Sequence, residues 1–220
     1  MQNVITIDGP AGSGKSTISL LLAKKIGYLY LDTGAMYRAV ALAAKGEKIH
    51  LNDGKTLGEL CNSLDLRFIT DQAPPRLFLN GEDISAAIRS PEMDMASSKV
   101  SAVSEVRKAM TGLQRKMAKG MTLVAEGRDM GTVVFPDAKH KFYLTASLEI
   151  RTERRHKERL ERGETVHRAF VENQLKKRDH QDETRSIAPL RPAEDAKIID
   201  TTEMTPEQVI GTILCQLDLE

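Results

Sequence analysis

The chain opens on a β-branched run, Val4-Ile5-Thr6-Ile7, and breaks directly into a glycine-rich polar stretch from Asp8 to Thr17. A run this short and uninterrupted predicts a strand buried on both faces. Ile18, Leu21, Leu22 and Ile26 then recur at the spacing of an apolar helix face, and Gly27 provides the stop. Tyr28 to Leu31 reads as a second strand, so the N-terminal segment predicts a βαβ unit.

Strict alternation ends there. Thr33 to Ala44 predicts a helix closing at Gly46, and Leu57, Leu60, Cys61 and Leu64 space another. Leu66 to Thr70, Arg76 to Leu79 and Glu82 to Ile84 predict three short strands. Asp71 to Pro75 supplies one turn and Asn80-Gly81 the other, a dipeptide suited to a type I′ hairpin because both residues tolerate positive φ. An antiparallel patch inside an α/β chain points to an inserted subdomain. Ser90-Pro91 opens a further helical stretch, in which Val106, Met110, Leu113 and Met117 keep helical spacing up to Gly120 and read as core.

Met121 to Ala125 is a continuous apolar run fit for the centre of a parallel sheet, and it ends in Glu126-Gly127-Arg128-Asp129-Met130-Gly131-Thr132. Ligands of open α/β sheets gather outside the carboxyl ends of strands, which makes Arg128 and Asp129 site candidates. Lys141 to Thr145 is a further strand, and Ser147 caps a long helix carrying Arg151, Arg154, Arg155, Lys157, Arg159 and Arg162 among Glu153, Glu158 and Glu161. That mixture also describes an ordinary solvated helix face. Gly163 ends the run, a second charged helix reaches Lys176 to Asp182, and Ile187-Ala188-Pro189-Leu190 turns back. Lys197 to Asp200 is the last strand, and Thr205-Pro206-Glu207-Gln208 has the form of a capping box opening the final helix.

Composition narrows the function. In 220 residues, 32 Lys+Arg stand against 31 Asp+Glu, a formal net charge of +1, so bulk charge gives no general hold on nucleic acid or anionic lipid. An aromatic share of 4% without Trp weakens any base-stacking platform. With 40% hydrophobic and 29% charged residues the chain reads as a globular protein, and it holds neither a membrane-length apolar run nor a leader pattern. Cys61 and Cys215 lie far apart without zinc-type spacing, and His50, His140, His156, His167 and His180 form no ligand pattern and read as surface residues. A cytoplasmic protein with neither nucleic acid nor membrane as partner is expected.

Gly9-Pro10-Ala11-Gly12-Ser13-Gly14-Lys15-Ser16 fits Gly-x-x-x-x-Gly-Lys-Ser, the phosphate-binding loop, between a predicted strand and a predicted helix. Its glycines let successive backbone N–H groups turn inward around a phosphate at the positive end of the helix that follows. Lys15 is then expected to reach the terminal phosphates, and the Ser16 hydroxyl to ligate Mg²⁺, with Thr17 completing the turn.

Four segments carry a resemblance. Ile7 to Ser16, Leu31-Asp32-Thr33-Gly34-Ala35-Met36-Tyr37-Arg38, Glu126 to Ala138, and Arg185-Ser186-Ile187-Ala188-Pro189-Leu190 together resemble the nucleoside monophosphate kinases and, among them, the bacterial cytidylate kinases. The small departures, Thr33 where many relatives carry Ser and Glu126 where some carry Asp, keep the functional group. The resemblance implies an α/β P-loop NTPase fold with a five-stranded parallel sheet flanked by helices. It also implies a single domain with a core over about 1–32, 116–146 and 186–220, a monophosphate-binding insert over about 33–115, and a short helical lid over about 147–165.

It further implies transfer of the terminal phosphoryl of ATP to CMP or dCMP with Mg²⁺, by a monomer. A phosphate acceptor is already an anion, so such chemistry asks for positioning and charge neutralisation rather than a base. Arg38, Arg128, Arg178 and Arg185 are assigned by resemblance to the acceptor phosphate, where Thr33 adds a hydroxyl donor and Tyr37 lies alongside. Two of Arg151, Arg154, Arg155 and Arg159 are expected to reach the ATP phosphates, with Arg155 counted, like Lys15, Arg128 and Arg185, among the catalytic groups. Ser98, Arg107 and Asp129 are assigned to cytosine, whose N4 donor suits a carboxylate and whose N3 and O2 acceptors suit a guanidinium. Asp182 is assigned to a ribose hydroxyl, and Glu126 and Asp32 are candidates to orient metal-bound waters. The alternatives left standing are a P-loop kinase of another acceptor, UMP, AMP or a small molecule, and a nucleotide-binding module without an acceptor.

Overall fold

The computed structural model describes residues 4–69 and 75–217. Strand β1 (Val4–Asp8) is buried throughout and feeds helix α1 (Lys15–Ile26), which closes on left-handed Gly27 and returns the chain as β2 (Leu29–Asp32). Helices α2 (Thr33–Gly46) and α3 (Gly54–Ser63) follow, then β3 (Leu66–Ile69), β4 (Arg76–Leu79) and β5 (Glu82–Asp83). Helices α4 (Pro91–Val100) and α5 (Ser104–Ala118) lead back to β6 (Leu123–Gly127), followed by β7 (His140–Thr145), α6 (Leu148–Glu161), α7 (Arg168–Thr184), β8 (Lys197–Asp200) and α8 (Pro206–Leu214).

Five parallel strands in the order β2-β6-β1-β7-β8 form the central sheet, and β3-β4-β5 form a separate antiparallel sheet. Strand alternation sorts the core onto the two faces of the main sheet. Val4, Leu31, Leu123 and Ala125 pack into the cluster beneath α2, α3 and α5, whereas Ile5, Ile7, Tyr30 and Val124 pack with Ile18 and Leu22 of α1 and Val209 and Ile213 of α8. The smaller sheet closes the first cluster through Leu66 and Leu77. Helices α6 and α7 pack on each other, and Val171 and Leu175 of α7 seat against Ala11 of the glycine-rich loop.

The local signals behave as the sequence predicts at the caps. Ser90 accepts the Met93 N–H ahead of Pro91, Ser147 accepts that of Ile150, and Thr205 with Gln208 closes a reciprocal capping box. Asn80 and Gly81 both take positive φ between β4 and β5. Several details differ. Leu21 is exposed, because Lys15, Ile18, Ser19, Leu22 and Ala23 make the buried face of α1 and Leu21 falls outside it. The predicted strand from Met121 to Ala125 lies two residues later, since the Met121 N–H still caps α5 at Ala118 and its side chain is exposed. Ile84 leaves β5, although its N–H still bonds Leu77. Thr70 and most of the predicted Asp71 to Pro75 turn lie outside the described residues.

Candidate active site

Three strand ends deliver the site. The sheet register sets Asp8 beside Gly127 and Asp32 beside Glu126, so the glycine-rich loop, the start of α2 and the segment after β6 emerge together. Gly9 takes φ +152, and a Cβ there would lie 2.1 Å from the Leu144 carbonyl oxygen, a clash that admits no side chain. Lys15, the first residue of α1, is buried and donates to the Pro10 carbonyl at 3.1 Å. Burial, reinforced by the Arg128 guanidinium, pushes its ammonium down to about 7. A phosphate at this loop would supply the negative charge that restores it.

Beside the loop stand two buried carboxylates. The Tyr30 hydroxyl donates to Glu126 Oε1, and burial together with Glu126 carries that hydroxyl well above its ordinary range. Glu126 Oε2 is buried with no hydrogen-bond partner among the described residues, and burial, then Asp32, pushes the Glu126 carboxyl up against the opposing pull of Lys15. Asp32 caps α2 by accepting the Ala35 N–H at 2.8 Å and meets Arg38 and Arg89 at 3.3 Å each. Burial favours its neutral form, but the two guanidiniums outweigh burial and hold it below the usual range. With the Ser16 hydroxyl beside Glu126, this oxygen-only donor set, one of whose carboxylate oxygens lacks a partner, fits a hard divalent cation such as Mg²⁺.

A cleft of about 610 Å³ runs from the loop toward α5, and every residue expected from sequence lines it except Gly9, Pro10 and Arg151. Arg107 and Asp129 form a buried ion pair; Arg107 also donates to the Ser101 carbonyl at 3.0 Å and lies over the Tyr37 ring at 5.6 Å. Burial pushes the Tyr37 hydroxyl up to about 12. Arg185 stands 3.6 Å from the other oxygen of Asp129 and is braced by its Nε bond to the Ala188 carbonyl at 2.6 Å, with Ala188 at positive φ. Arg128 donates to Asp182 at 2.8 Å. Thr33 donates to the Glu126 carbonyl at 2.6 Å, and the buried Ser98 hydroxyl has no partner among the described residues.

Two of the site's arginines, Arg178 and Arg185, are under electrostatic strain. Burial and the neighbouring Arg128 lower the pKa of Arg178, and burial and the neighbouring Arg107 lower that of Arg185. A guanidinium keeps its proton in a protein, so clustered buried guanidiniums favour anions placed among them. Arg178 Nε, Arg38 Nε and Arg185 Nη2 are also buried donors without a hydrogen-bond acceptor among the described residues. At the α6 side, Arg154 donates to the Thr201 carbonyl at 2.6 Å close to Gly14, and Arg155 pairs with Glu158 and Asp94. Arg159 lines the cleft while bonding Glu164 and Gln174. Arg151 is tied beneath the loop instead, to Asp179 and to the Ala146 and Ala11 carbonyls, and Gly9 and Pro10 form the loop's base.

Sequence reading missed Asp94 and Arg89, both on the cleft wall, and the part played by Asp8, whose carboxylate accepts the N–H groups of Met130 and Gly131. A first-turn Asp of α4 looks in sequence like an ordinary helix-dipole residue. Only its tertiary contacts mark it.

Residues 5–218 match the family model for cytidylate kinase. The chain is 48% identical over 210 residues to the cytidylate kinase of Shouchella clausii (strain KSM-K16), covering 96% of this chain and 93% of that one. It is 48% identical over 207 residues to the cytidylate kinase of Geobacter sp. (strain M21), covering 94% and 89%. A solved structure, that of an uncharacterized protein from Eubacterium ventriosum ATCC 27560, superposes with a TM-score of 0.53 at 13% identity and 99% coverage of both chains, a likeness of fold alone.

Proposed function

The chain belongs to the cytidylate kinase family, and we infer that it transfers the terminal phosphoryl group of ATP to CMP or dCMP, giving ADP and CDP or dCDP. The bond from the γ-phosphorus to the β,γ-bridging oxygen breaks, a bond from that phosphorus to a CMP phosphate oxygen forms, and ADP leaves. The observation that carries the reading is that the buried Arg107–Asp129 pair lines the same cleft as the phosphate-binding loop. Cytosine presents one donor and two acceptors to such a pair, whereas the O4 of uracil would face the Asp129 carboxylate acceptor to acceptor.

In this reading the loop N–H groups and Lys15 hold the ATP phosphates, with Arg154 and Arg155 closing over them. Arg38, Arg128, Arg178 and Arg185 hold the acceptor phosphate, each fork fixing oxygens bidentately, and Thr33 adds a hydroxyl. Ser98 and Arg107 turn the base toward Asp129, Tyr37 supports Arg107 from below, and Asp182 orients Arg128 and accepts from the ribose. Because the acceptor is already an anion, these residues align the two phosphates and spread the developing charge; no general base is required. Ser16 would hold Mg²⁺, with Glu126 and Asp32 orienting its waters, and the ion would neutralise phosphate oxygens.

The division into a core over about 1–32, 116–146 and 186–220, an insert over about 33–115 and a lid over about 147–165 belongs to the same proposal, as does a monomer. Free Cys61 and Cys215 favour a reducing, cytoplasmic setting, and near-neutral charge argues against a nucleic-acid partner. No helix of the described residues is long and apolar enough to cross a membrane. The test is ADP release from ATP and Mg²⁺ with CMP, dCMP, UMP and AMP side by side. CMP and dCMP should lead; a lead by UMP or AMP would strip Ser98, Arg107 and Asp129 of their roles, and no turnover with any acceptor would sink the kinase reading.

A further inference from the structure

Asp94 sits in the first turn of α4, outside every segment that carries the family likeness, yet its largely buried carboxylate meets guanidiniums from three other helices. Oδ1 lies 3.5 Å from Arg38 Nη1 of α2 and 4.0 Å from Arg178 Nη1 of α7, while Oδ2 pairs with Arg155 of α6. A carboxylate kept only to tie two helices needs one arginine. Here one carboxylate faces three cations, of which Arg38 also meets Asp32 and Arg155 also meets Glu158; its contacts to Arg38 and Arg178 exceed hydrogen-bond length, and the Nε of each of these two lacks an acceptor among the described residues, so neither is saturated. A substrate phosphate carries more charge and accepts bidentately, and it competes for the same forks.

We propose that Asp94 is an internal anion that, anchored to Arg155, holds Arg38 and Arg178 at the cleft and yields these two to the incoming acceptor phosphate, so that this carboxylate sets the affinity for CMP. Asp94 is then a positioning residue that acts through the arginines, and its removal tightens binding of the monophosphate. The inference rests on the proposed placement of the acceptor phosphate among Arg38, Arg128, Arg178 and Arg185.

The experiment is calorimetric binding of CMP and of cytidine, without ATP, to the full-length protein and to Asp94→Asn. The CMP dissociation constant should fall at least threefold in the variant while that of cytidine, which has no phosphate, stays within twofold. An unchanged or weakened CMP affinity, or an equal shift for both ligands, overturns the proposal. Asp94→Glu, which keeps the charge, should bind CMP as the parent does, and Glu92→Gln, whose partner Lys45 is exposed, should do the same. If Asp94→Asn does not fold, Asp94→Ser carries the same test. Arg178→Ala separates the two readings: unchanged CMP affinity there defeats the phosphate placement itself, whereas weakened CMP binding with no gain in Asp94→Asn defeats only the role given to Asp94.

Discussion

The carboxylate of Asp8, last residue of β1, accepts the backbone N–H of Gly131 at 2.8 Å, across 123 positions of chain. Its second oxygen accepts the Met130 N–H at 2.9 Å, so one side chain holds the turn of π-helix that follows Asp129. The start of the phosphate-binding loop and the segment after Asp129 are thereby tied to each other. Asp8→Asn replaces one acceptor with an N–H group facing another N–H. The expected result is a fall of tenfold or more in kcat/KM for CMP with the protein still folded, read by steady-state kinetics and circular dichroism.

The same side chain gives a pH signature of stability. Burial pushes the Asp8 carboxyl up to about 7, against the pull of its two N–H donors. The folded protein therefore keeps a proton there that the unfolded chain releases near its ordinary value of 3.8. A raised folded value stabilises at low pH, and that contribution is lost as pH rises from about 4 to about 7, at up to roughly 1.4 kcal/mol per pH unit. Denaturant melts of the parent and of Asp8→Asn should show the parent's stability relative to the variant declining with pH across this window. A difference that does not change with pH would mean that Asp8 stays ionised in the fold.

Lys15 titrates in the opposite sense. With its ammonium pushed down to about 7 by burial and Arg128, the free protein at pH 8 holds Lys15 mostly neutral, and phosphates at the loop draw the proton back. Binding of ATP at pH 8 should take up on the order of one proton, and affinity should fall by up to about tenfold per pH unit above 7. Calorimetry in two buffers of different ionisation enthalpy reads the uptake directly. It should vanish in Lys15→Met, which should also lose on the order of a hundredfold or more in kcat, the scale of removing one preorganised charge donor.

What the chain discloses of this site depends on how local each feature is. The loop from Gly9 to Ser16, the strand ends at Asp32 and Glu126, and the caps at Ser90, Ser147 and Thr205 are legible because each is a short motif obeying local rules. The roles given to Arg178 and Asp182 lie on a charged helix that any solvated face would match, and the family likeness alone singles them out. Asp94 and Asp8 escape both kinds of reading. Their partners come from distant elements, and a lone carboxylate carries no sign of which guanidinium or N–H will meet it. The slip at Met121 is of another kind: an apolar residue adjoining a buried strand still belongs to the helix end that caps it.

Asp129 is the residue proposed to read the base. Asp129→Asn keeps the side-chain shape beside Arg107 and Arg185 but puts an N–H group where the cytosine N4 donor would be received. The expected loss in kcat/KM for CMP is about 1–3 kcal/mol, some ten- to a hundredfold, with little loss for UMP, whose O4 can accept from the new amide. Parallel kinetics with the two nucleotides check this. Equal losses would remove Asp129 from base reading and leave it as a support for Arg107.

Arg154 provides the complementary test at the donor end. Its guanidinium is fixed by Thr201, through the hydroxyl at 3.0 Å and the carbonyl at 2.6 Å, and Thr201 in turn donates to the Ser13 carbonyl at 3.2 Å. The arginine is thus held beside the phosphate-binding loop through Thr201 rather than through the Arg107–Asp129 pair, so Arg154→Ala should raise KM for ATP about tenfold and leave KM for CMP within twofold. Thr201→Val, which keeps the carbonyl anchor but removes the hydroxyl bonds to Arg154 and Ser13, should move KM for ATP in the same direction by less. Steady-state kinetics with each substrate varied against saturating partner decide it. A change in KM for CMP as large as that for ATP would mean that Arg154 reaches the acceptor rather than the donor.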